Sequence, residues 1–217
     1  MEKYSNRDDL IAALTEDVTP IKPVRSLDGI ALIAFATIIA AVVSIAVYEW
    51  WDGLLKGQAS GYFLITHGLL LLLGAASGAA LIKSAMPRVG AQSSAAFWGA
   101  LMVAVMPVGA ALSLLTGTGN HAHEGLNDPV AMMCVTGSLC ASAIVLAASV
   151  LWLRRGAPVS IERSGWLAGT TAGALGALAY GITCPLDTFS HVGLWHVAPV
   201  AIMAVAGRLV VPPLIRW

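Results

Sequence analysis

The chain has 217 residues, of which 58% are hydrophobic and only 11% are charged, and its mean hydropathy is +0.80. This composition lies far outside the range of soluble domains, so it predicts a membrane protein and excludes a water-soluble globular one. The formal net charge is zero, which gives no indication of a direct nucleic acid partner.

The N-terminal segment, residues 1–26, is predicted to form a soluble unit ahead of a membrane domain of residues 27–217. Within it, apolar residues recur on one face of a helical repeat: Leu10, Ile11, Leu14 and Val18. Pro20 and Pro23 end the pattern. A helix of about a dozen residues is marginal in water, so this face should dock on the membrane surface, on the helix bundle or on a protein. A membrane-surface helix usually carries Lys and Arg on its polar face, whereas this one carries Asp8, Asp9, Glu16 and Asp17.

Six apolar runs follow, and each is long enough to predict a membrane-spanning helix. They cover roughly residues 27–48, 61–82, 93–116, 129–153, 164–183 and 189–211. No Asp, Glu, Lys or Arg lies in the middle of a run, which weighs against a charge-coupled transporter. The fifth run repeats small residues every four positions from Gly165 to Gly181, which predicts close helix packing. Pro107 and Pro199 are expected to bend their helices.

The distribution of Lys and Arg predicts the orientation of the spans. One side of the predicted membrane carries eleven of them: Lys3, Arg7, Lys22, Arg25, Lys83, Arg88, Arg154, Arg155, Arg163, Arg208 and Arg216. The other side carries only Lys56. We therefore expect a multi-pass membrane protein with both termini in the cytoplasm.

The side chains that could carry chemistry concentrate towards the periplasmic side of this topology. Cys184 ends the fifth predicted span and Cys134 begins the fourth, at similar depths. They could form a disulfide or a redox-sensitive thiol pair in an oxidising compartment. Alternatively, thiolates and imidazoles could bind copper, zinc or cadmium, with further ligands drawn from His121, His123, His191 and His196. Buried cysteines also occur simply as small apolar residues, and this interpretation is favoured for Cys140, which lies deeper.

No catalytic motif is present: HExxH, GxSxG and phosphate-binding loops are all missing from the sequence. The chain is therefore not expected to be an enzyme. His67 and His196 lie at comparable predicted depths, which leaves a bis-histidine haem protein as a minor alternative.

Several motifs together resemble one family of membrane proteins. The N-terminal DLIAALTEDVTPIKPV, an early cysteine in the fourth span (Cys134), the CPLD turn at Cys184 and the terminal Arg216 and Trp217 are similar to the negative regulators of sigma-F (NrsF). That family has six predicted spans and about this length. One departure is His196, where the family usually has Tyr.

The resemblance implies a membrane anti-sigma factor that sequesters an extracytoplasmic-function sigma factor and releases it under oxidative or heavy-metal stress. It also implies that Cys134 and Cys184 take part in sensing. The surface predicted to bind the sigma factor comprises Leu10, Ile11, Leu14, Asp17 and Pro20. A small metal-handling transporter that uses the same histidines and cysteines is the alternative function.

Overall fold

The structure, a computed structural model, describes residues 7–16, 24–86, 94–116 and 128–216, and these ranges form helices joined by turns without any strand. The helices are α1 (Arg7–Glu16), α2 (Ser26–Tyr48), α3 (Asp52–Leu55), α4 (Gly61–Ser84), α5 (Ala95–Thr116), α6 (Ala131–Leu153), α7 (Ile161–Gly181), α8 (Phe189–Trp195) and α9 (Ala198–Ile215). The predicted all-α class is confirmed.

Five helical segments of the described chain are long and apolar enough to cross a membrane, so the predicted number of six is wrong. They are α2, α4, α5, α6 and the segment Phe189–Ile215, which contains α8 and α9. Large apolar side chains point outwards from them; Phe35 on α2 is 62% exposed and Val105 on α5 is 66% exposed. Such a surface is compatible with a lipid environment, where backbone groups are satisfied inside each helix.

Helix α7, predicted as the fifth span, is the one that lacks the required hydropathy. It lies in the centre of the bundle, packed by α4, α6 and α9, and 15 of its 21 residues are buried. Because α7 faces other helices, Gly, Ala and Thr take the place of the long aliphatic side chains that lipid contact favours. Its small residues therefore reflect its central position.

The glycine repeat of α7 packs against the backbone of α9, as the sequence predicts. A Cβ atom on Gly165 would lie 2.7 Å from the Gly207 carbonyl oxygen, and one on Gly173 would lie 2.7 Å from the Val200 Cα. Later positions of α7 thus meet earlier positions of α9, so the two helices are antiparallel. Larger side chains at these positions would force the helices apart.

The bundle has two distinct ends. At one, the start of α2 meets the turn after α4 (Ser26 Oγ to Met86 Sδ, 3.9 Å), and the turn between α6 and α7 meets the end of α4 (Ala157 N to Ala85 O, 3.0 Å). The C-terminal part of α9 also lies here, because Gly207 packs on Gly165. We call this the basic end, since it holds Arg25, Lys83, Arg154, Arg155, Arg163 and Arg208.

The opposite end, the cysteine end, gathers the end of α2, the starts of α4 and α6, the end of α7 and all of α8. The Trp51 backbone N–H donates to the Ile182 carbonyl at 3.3 Å, and Lys56 lies between α3 and α4. The described basic residues thus segregate as the sequence indicates.

The last predicted span is divided by a turn at His196 and Val197, between α8 and α9. Pro199 accounts for this break, because proline has no N–H to donate to the Trp195 carbonyl and its ring clashes with that group. The chain resumes a helical hydrogen bond at Val200, whose N–H donates to the Val197 carbonyl at 2.9 Å. The bend expected at Pro199 is therefore confirmed, whereas α5 continues through Pro107.

Helix α1 confirms the predicted N-terminal helix in part. Its described residues, Arg7–Glu16, include no buried residue; Leu10, Ile11 and Leu14 are 39%, 48% and 63% exposed. Asp17 and Pro20, the other two predicted partner-binding residues, lie outside the described residues.

Candidate functional site: a buried thiol and imidazole cluster

The two predicted sensing cysteines meet at the cysteine end of the bundle. Cys134 lies in the first turn of α6, and Cys184 lies in the loop after α7. Their sulfur atoms are 3.5 Å apart, and both side chains are buried as free thiols. A disulfide bond is about 2.05 Å long, so the pair is in contact but not bonded.

His191, on α8, adds a first imidazole to the thiol pair. Its Nε2 lies 3.5 Å from the Cys184 sulfur, and its Nδ1 hydrogen-bonds to Oδ2 of Asp128. A carboxylate accepts and does not donate, so Nδ1–H donates this hydrogen bond, and Nε2 faces the Cys184 sulfur. The other oxygen of Asp128 accepts the Val130 backbone N–H at 2.8 Å, which fixes the carboxylate at the start of α6.

His196, in the turn between α8 and α9, completes the cluster. The side chains of Cys134, Cys184, His191 and His196 each offer a ligand atom, and these four atoms all lie within 4.8 Å of one another. His196 is fully buried, and neither of its ring nitrogens has a hydrogen-bond partner among the described residues. An unpartnered buried polar group is costly.

A third histidine, His67 on α4, supports His196 from behind. The two rings are in edge contact, with centroids 5.2 Å apart, and the His67 Nδ1 donates to the Phe63 carbonyl at 2.8 Å. Gly181 makes room for this ring, because a Cβ there would overlap the His67 Nε2. Rings in direct contact leave no space for a porphyrin between them, so the bis-histidine haem alternative is wrong.

Tyr180, near the end of α7, closes the cluster on the α6 side. Its hydroxyl donates to the Cys134 sulfur at 3.6 Å, and its ring packs edge-on against Tyr48 with centroids 5.2 Å apart. Gly137 lies beneath the ring, where a Cβ would come within 2.6 Å of the Tyr180 Cδ2. Contacts with α2, α6 and α7 therefore hold the hydroxyl in place.

The loop that carries Cys184 is fastened to the start of α4. Oδ2 of Asp187 accepts the Ser60 backbone N–H at 2.7 Å, and the Ser60 hydroxyl donates to the Asp187 carbonyl at 2.8 Å. Thr188 precedes α8 without a side-chain cap. These bonds fix the position of the loop relative to α4.

The electrostatic environment of Cys184 disfavours its thiolate form. The adjacent Cys134 side chain and burial both raise the pKa of the Cys184 thiol above its ordinary value. An oxidant or a thiophilic cation would therefore encounter a protonated thiol at Cys184.

The sequence places some of these residues correctly and misses others. Cys134, Cys184, His191 and His196 come together, Cys140 is exposed elsewhere on α6, and His121 and His123 lie outside the described residues. The supporting residues Asp128 and Tyr180 were not predicted. The position of Asp128, just before the predicted start of α6, was the only signal for its role.

The fold and the cluster define an all-helical protein of membrane type with a buried site of two thiols and two imidazoles. The chain belongs to the NrsF family, described as negative regulator of sigma F, whose profile matches residues 14–217. The family identified from the sequence is thus confirmed, and it gives the protein the general role of an anti-sigma factor with a sigma factor as its partner. No curated protein and no solved structure matches the chain.

Proposed function

We propose that this protein holds an extracytoplasmic-function sigma factor at the bacterial inner membrane and releases it when oxidative or heavy-metal stress acts on Cys134 and Cys184. The observation that carries the proposal is the contact of the two buried sulfurs, 3.5 Å apart. Two thiols at this distance can respond together to one chemical event.

The proposed orientation puts the cysteine end at the periplasm and both termini in the cytoplasm. Lys and Arg are enriched on the cytoplasmic side of membrane proteins, and this rule supports the orientation. Apart from Arg7 and Lys56, the described basic residues lie at the basic end, including Arg216 just after α9. An oxidant or metal ion in the periplasm would then react with the cysteines, while the sigma factor would bind α1 in the cytoplasm.

The proposed sigma-binding surface is the apolar side of α1. Leu10, Ile11 and Leu14 are exposed there without burial against the bundle, so they supply contact area for a partner. Asp8, Asp9 and Glu16 lie on the polar side of the same helix and are suited to oppose the basic DNA-binding surface of a sigma factor. Asp17 and Pro20 extend the proposed surface by their place in the sequence.

Oxidation of the thiol pair has a balanced chemistry. The two thiols lose two protons and two electrons to a peroxide, which is reduced to water, and an S–S bond forms between Cys134 and Cys184. The sulfur separation then falls from 3.5 Å to about 2.05 Å, which draws α6 towards the loop after α7. We propose that the bundle has two alternative helix packings. A signal can shift the equilibrium between them only by the difference between their affinities for that signal.

The partner assignment is tested by co-purification of the sigma factor with the tagged full-length protein. We expect Leu14→Asp to abolish capture, because a charge replaces an apolar contact. Val159→Asp is the matched control, since Val159 is an exposed apolar residue at the basic end, 74% exposed, but lies outside α1. Retention of the sigma factor by Leu14→Asp would contradict the assignment.

The sensing assignment is tested by target-gene induction under peroxide and under cadmium. We expect Cys134→Ser and Cys184→Ser to lose induction, whereas Cys140→Ser, which changes an exposed thiol, retains it. Unchanged induction in the first two variants would refute sensing by the thiol pair and leave the anti-sigma role intact.

The alternative function, a small metal-handling transporter, is favoured only by the cluster of thiols and imidazoles. Deletion of residues 1–22 distinguishes the two functions. Transport should survive that deletion, whereas sigma-factor capture should not.

A further inference from the structure

We infer that Cys134, Cys184, His191 and His196 form a four-coordinate site for a thiophilic divalent cation of the zinc and cadmium class. The biological meaning of this site as a sensor rests on the proposed function, but cation binding itself is a separate property of the protein. The inference identifies the histidines as ligands, which a redox pair alone would not require.

The distances fit tetrahedral coordination. Zinc bonds of about 2.3 Å to sulfur and 2.0–2.1 Å to nitrogen place neighbouring ligand atoms of a tetrahedron roughly 3.3–3.8 Å apart. The two sulfurs are 3.5 Å apart, and the Cys184 sulfur is 3.5 Å from the His191 Nε2. With all four ligand atoms within 4.8 Å of one another, the site needs only small side-chain adjustments to surround one ion.

The donor set selects the class of cation. Two sulfurs and two nitrogens in tetrahedral arrangement suit zinc or a softer ion of the same group, whereas calcium and magnesium prefer oxygen. All four residues are buried, so water would compete little for the bound ion.

His196 gives independent support for a bound ligand. It is fully buried with both ring nitrogens unpartnered among the described residues, although a buried imidazole ordinarily has a hydrogen-bond partner. A cation held with Cys134 and Cys184 would satisfy one of these nitrogens. A disulfide between the cysteines would leave both nitrogens as they are, which is why the arrangement favours a metal site.

Asp128 supplies the supporting contact that metal-binding histidines usually have. Because Asp128 accepts the hydrogen bond from His191 Nδ1–H, it orients the ring and directs Nε2 towards the cysteines. His67 plays a comparable positioning role by packing edge-on against His196.

A pocket lies beside the site and reaches Cys184. It has a volume of about 380 Å³, and Cys184 and Tyr180 form part of its wall. Glu49 and Asp52 also line it, and their carboxylates would attract a cation electrostatically. Of the four proposed ligands, Cys184 is the one that borders this pocket.

The experiment uses the full-length protein in detergent, reduced, freed of metal with a chelator and then dialysed against Zn²⁺, Cd²⁺ or Co²⁺. We expect one ion per chain by elemental analysis. The Co²⁺ form should show the intense visible bands of a tetrahedral site and a sulfur-to-metal charge-transfer band. Cys140→Ser, the matched control, should bind in the same way.

Variants then test each part of the site. Cys134→Ser and Cys184→Ser should abolish the charge-transfer band, and His191→Ala and His196→Ala should each weaken Zn²⁺ binding at least tenfold. Asp128→Asn should weaken it by about 10–100-fold, as expected for a contact outside the ligand sphere. Circular dichroism of each variant verifies folding, and His196→Asn serves as a smaller change if His196→Ala fails to fold.

Three results would overturn the inference: no ion retained by the unmodified protein, binding of equal strength in both histidine variants, or a cobalt spectrum without tetrahedral character. Loss of induction in the cysteine variants together with an absence of metal binding would refute the cation site and keep the proposed sensing by oxidation. Metal binding by a protein whose metal-free form does not capture the sigma factor would support the site and refute the proposed function.

Discussion

The packing of α7 on α9 predicts that Gly169→Ala destabilises the protein. A Cβ at this position would lie 2.9 Å from the Ala204 Cα and closer still to the Met203 carbonyl oxygen. These are backbone atoms, which cannot turn aside as a flexible side chain can. The helices would have to separate, so one methyl group disturbs the whole interface.

The magnitude follows from two opposing effects. Overpacking of a well-packed interior costs about 1–3 kcal/mol, whereas Ala in place of Gly in a helix interior favours the folded state by about 0.5–1 kcal/mol. Gly68→Ala, in α4, shows the second effect alone because nothing lies within 4 Å of the added Cβ. Because the second effect is common to both variants, they should differ by the overpacking cost alone, about 1–3 kcal/mol in the free energy of unfolding.

The assay is reversible unfolding of each variant in mixed micelles by SDS, followed by circular dichroism. A difference of 1.4 kcal/mol corresponds to about a factor of ten in the folding equilibrium, so the predicted separation is readily measured. Equal stability of Gly169→Ala and Gly68→Ala would refute the close approach of α7 and α9.

Three further predictions concern other contacts. Asp187→Ala should lower the free energy of unfolding by about 1–3 kcal/mol in the same SDS assay, because it leaves the Ser60 N–H without its acceptor. Asp52→Ala, at an exposed position, is the control, and an equal loss in both variants would contradict this prediction. Arg208→Ala breaks a 2.7 Å ion pair with Glu162, but both side chains are substantially exposed. The free energy of unfolding should therefore change by less than about 1 kcal/mol, and a larger loss would contradict this. Gly137→Ala should speed maleimide labelling of Cys134 by displacing the ring of Tyr180 that covers it, and a rate equal to that of Gly68→Ala would disprove this covering role.

The sequence predicted the features that depend on how deep a residue lies in the membrane. Apolar run length located the helices, and the distribution of Lys and Arg separated the basic end from the cysteine end. Cys134 and Cys184 were matched because both lie near the same predicted membrane face. Depth, however, is only one coordinate of a residue in a bundle.

The rotation of each helix about its axis and its place among its neighbours could not be predicted from depth. His67 and His196 lie at similar depths, but packing made His196 part of the cluster and put His67 behind it. The central position of α7 was also missed. Its small residues allow close packing against other helices and at the same time lower its hydropathy. Asp128 became important only when α8 brought His191 beside it.

The break between α8 and α9 makes α9 a rod anchored at the cluster by its first residues. Its 18 residues span about 27 Å at 1.5 Å per residue, and they extend from the turn at His196 to the basic end at Ile215. Since its backbone interlocks with that of α7, α9 cannot easily slide alone. If the His196 imidazole is displaced, we therefore expect α9 to tilt as a rigid body and to carry the movement to the basic end of the bundle.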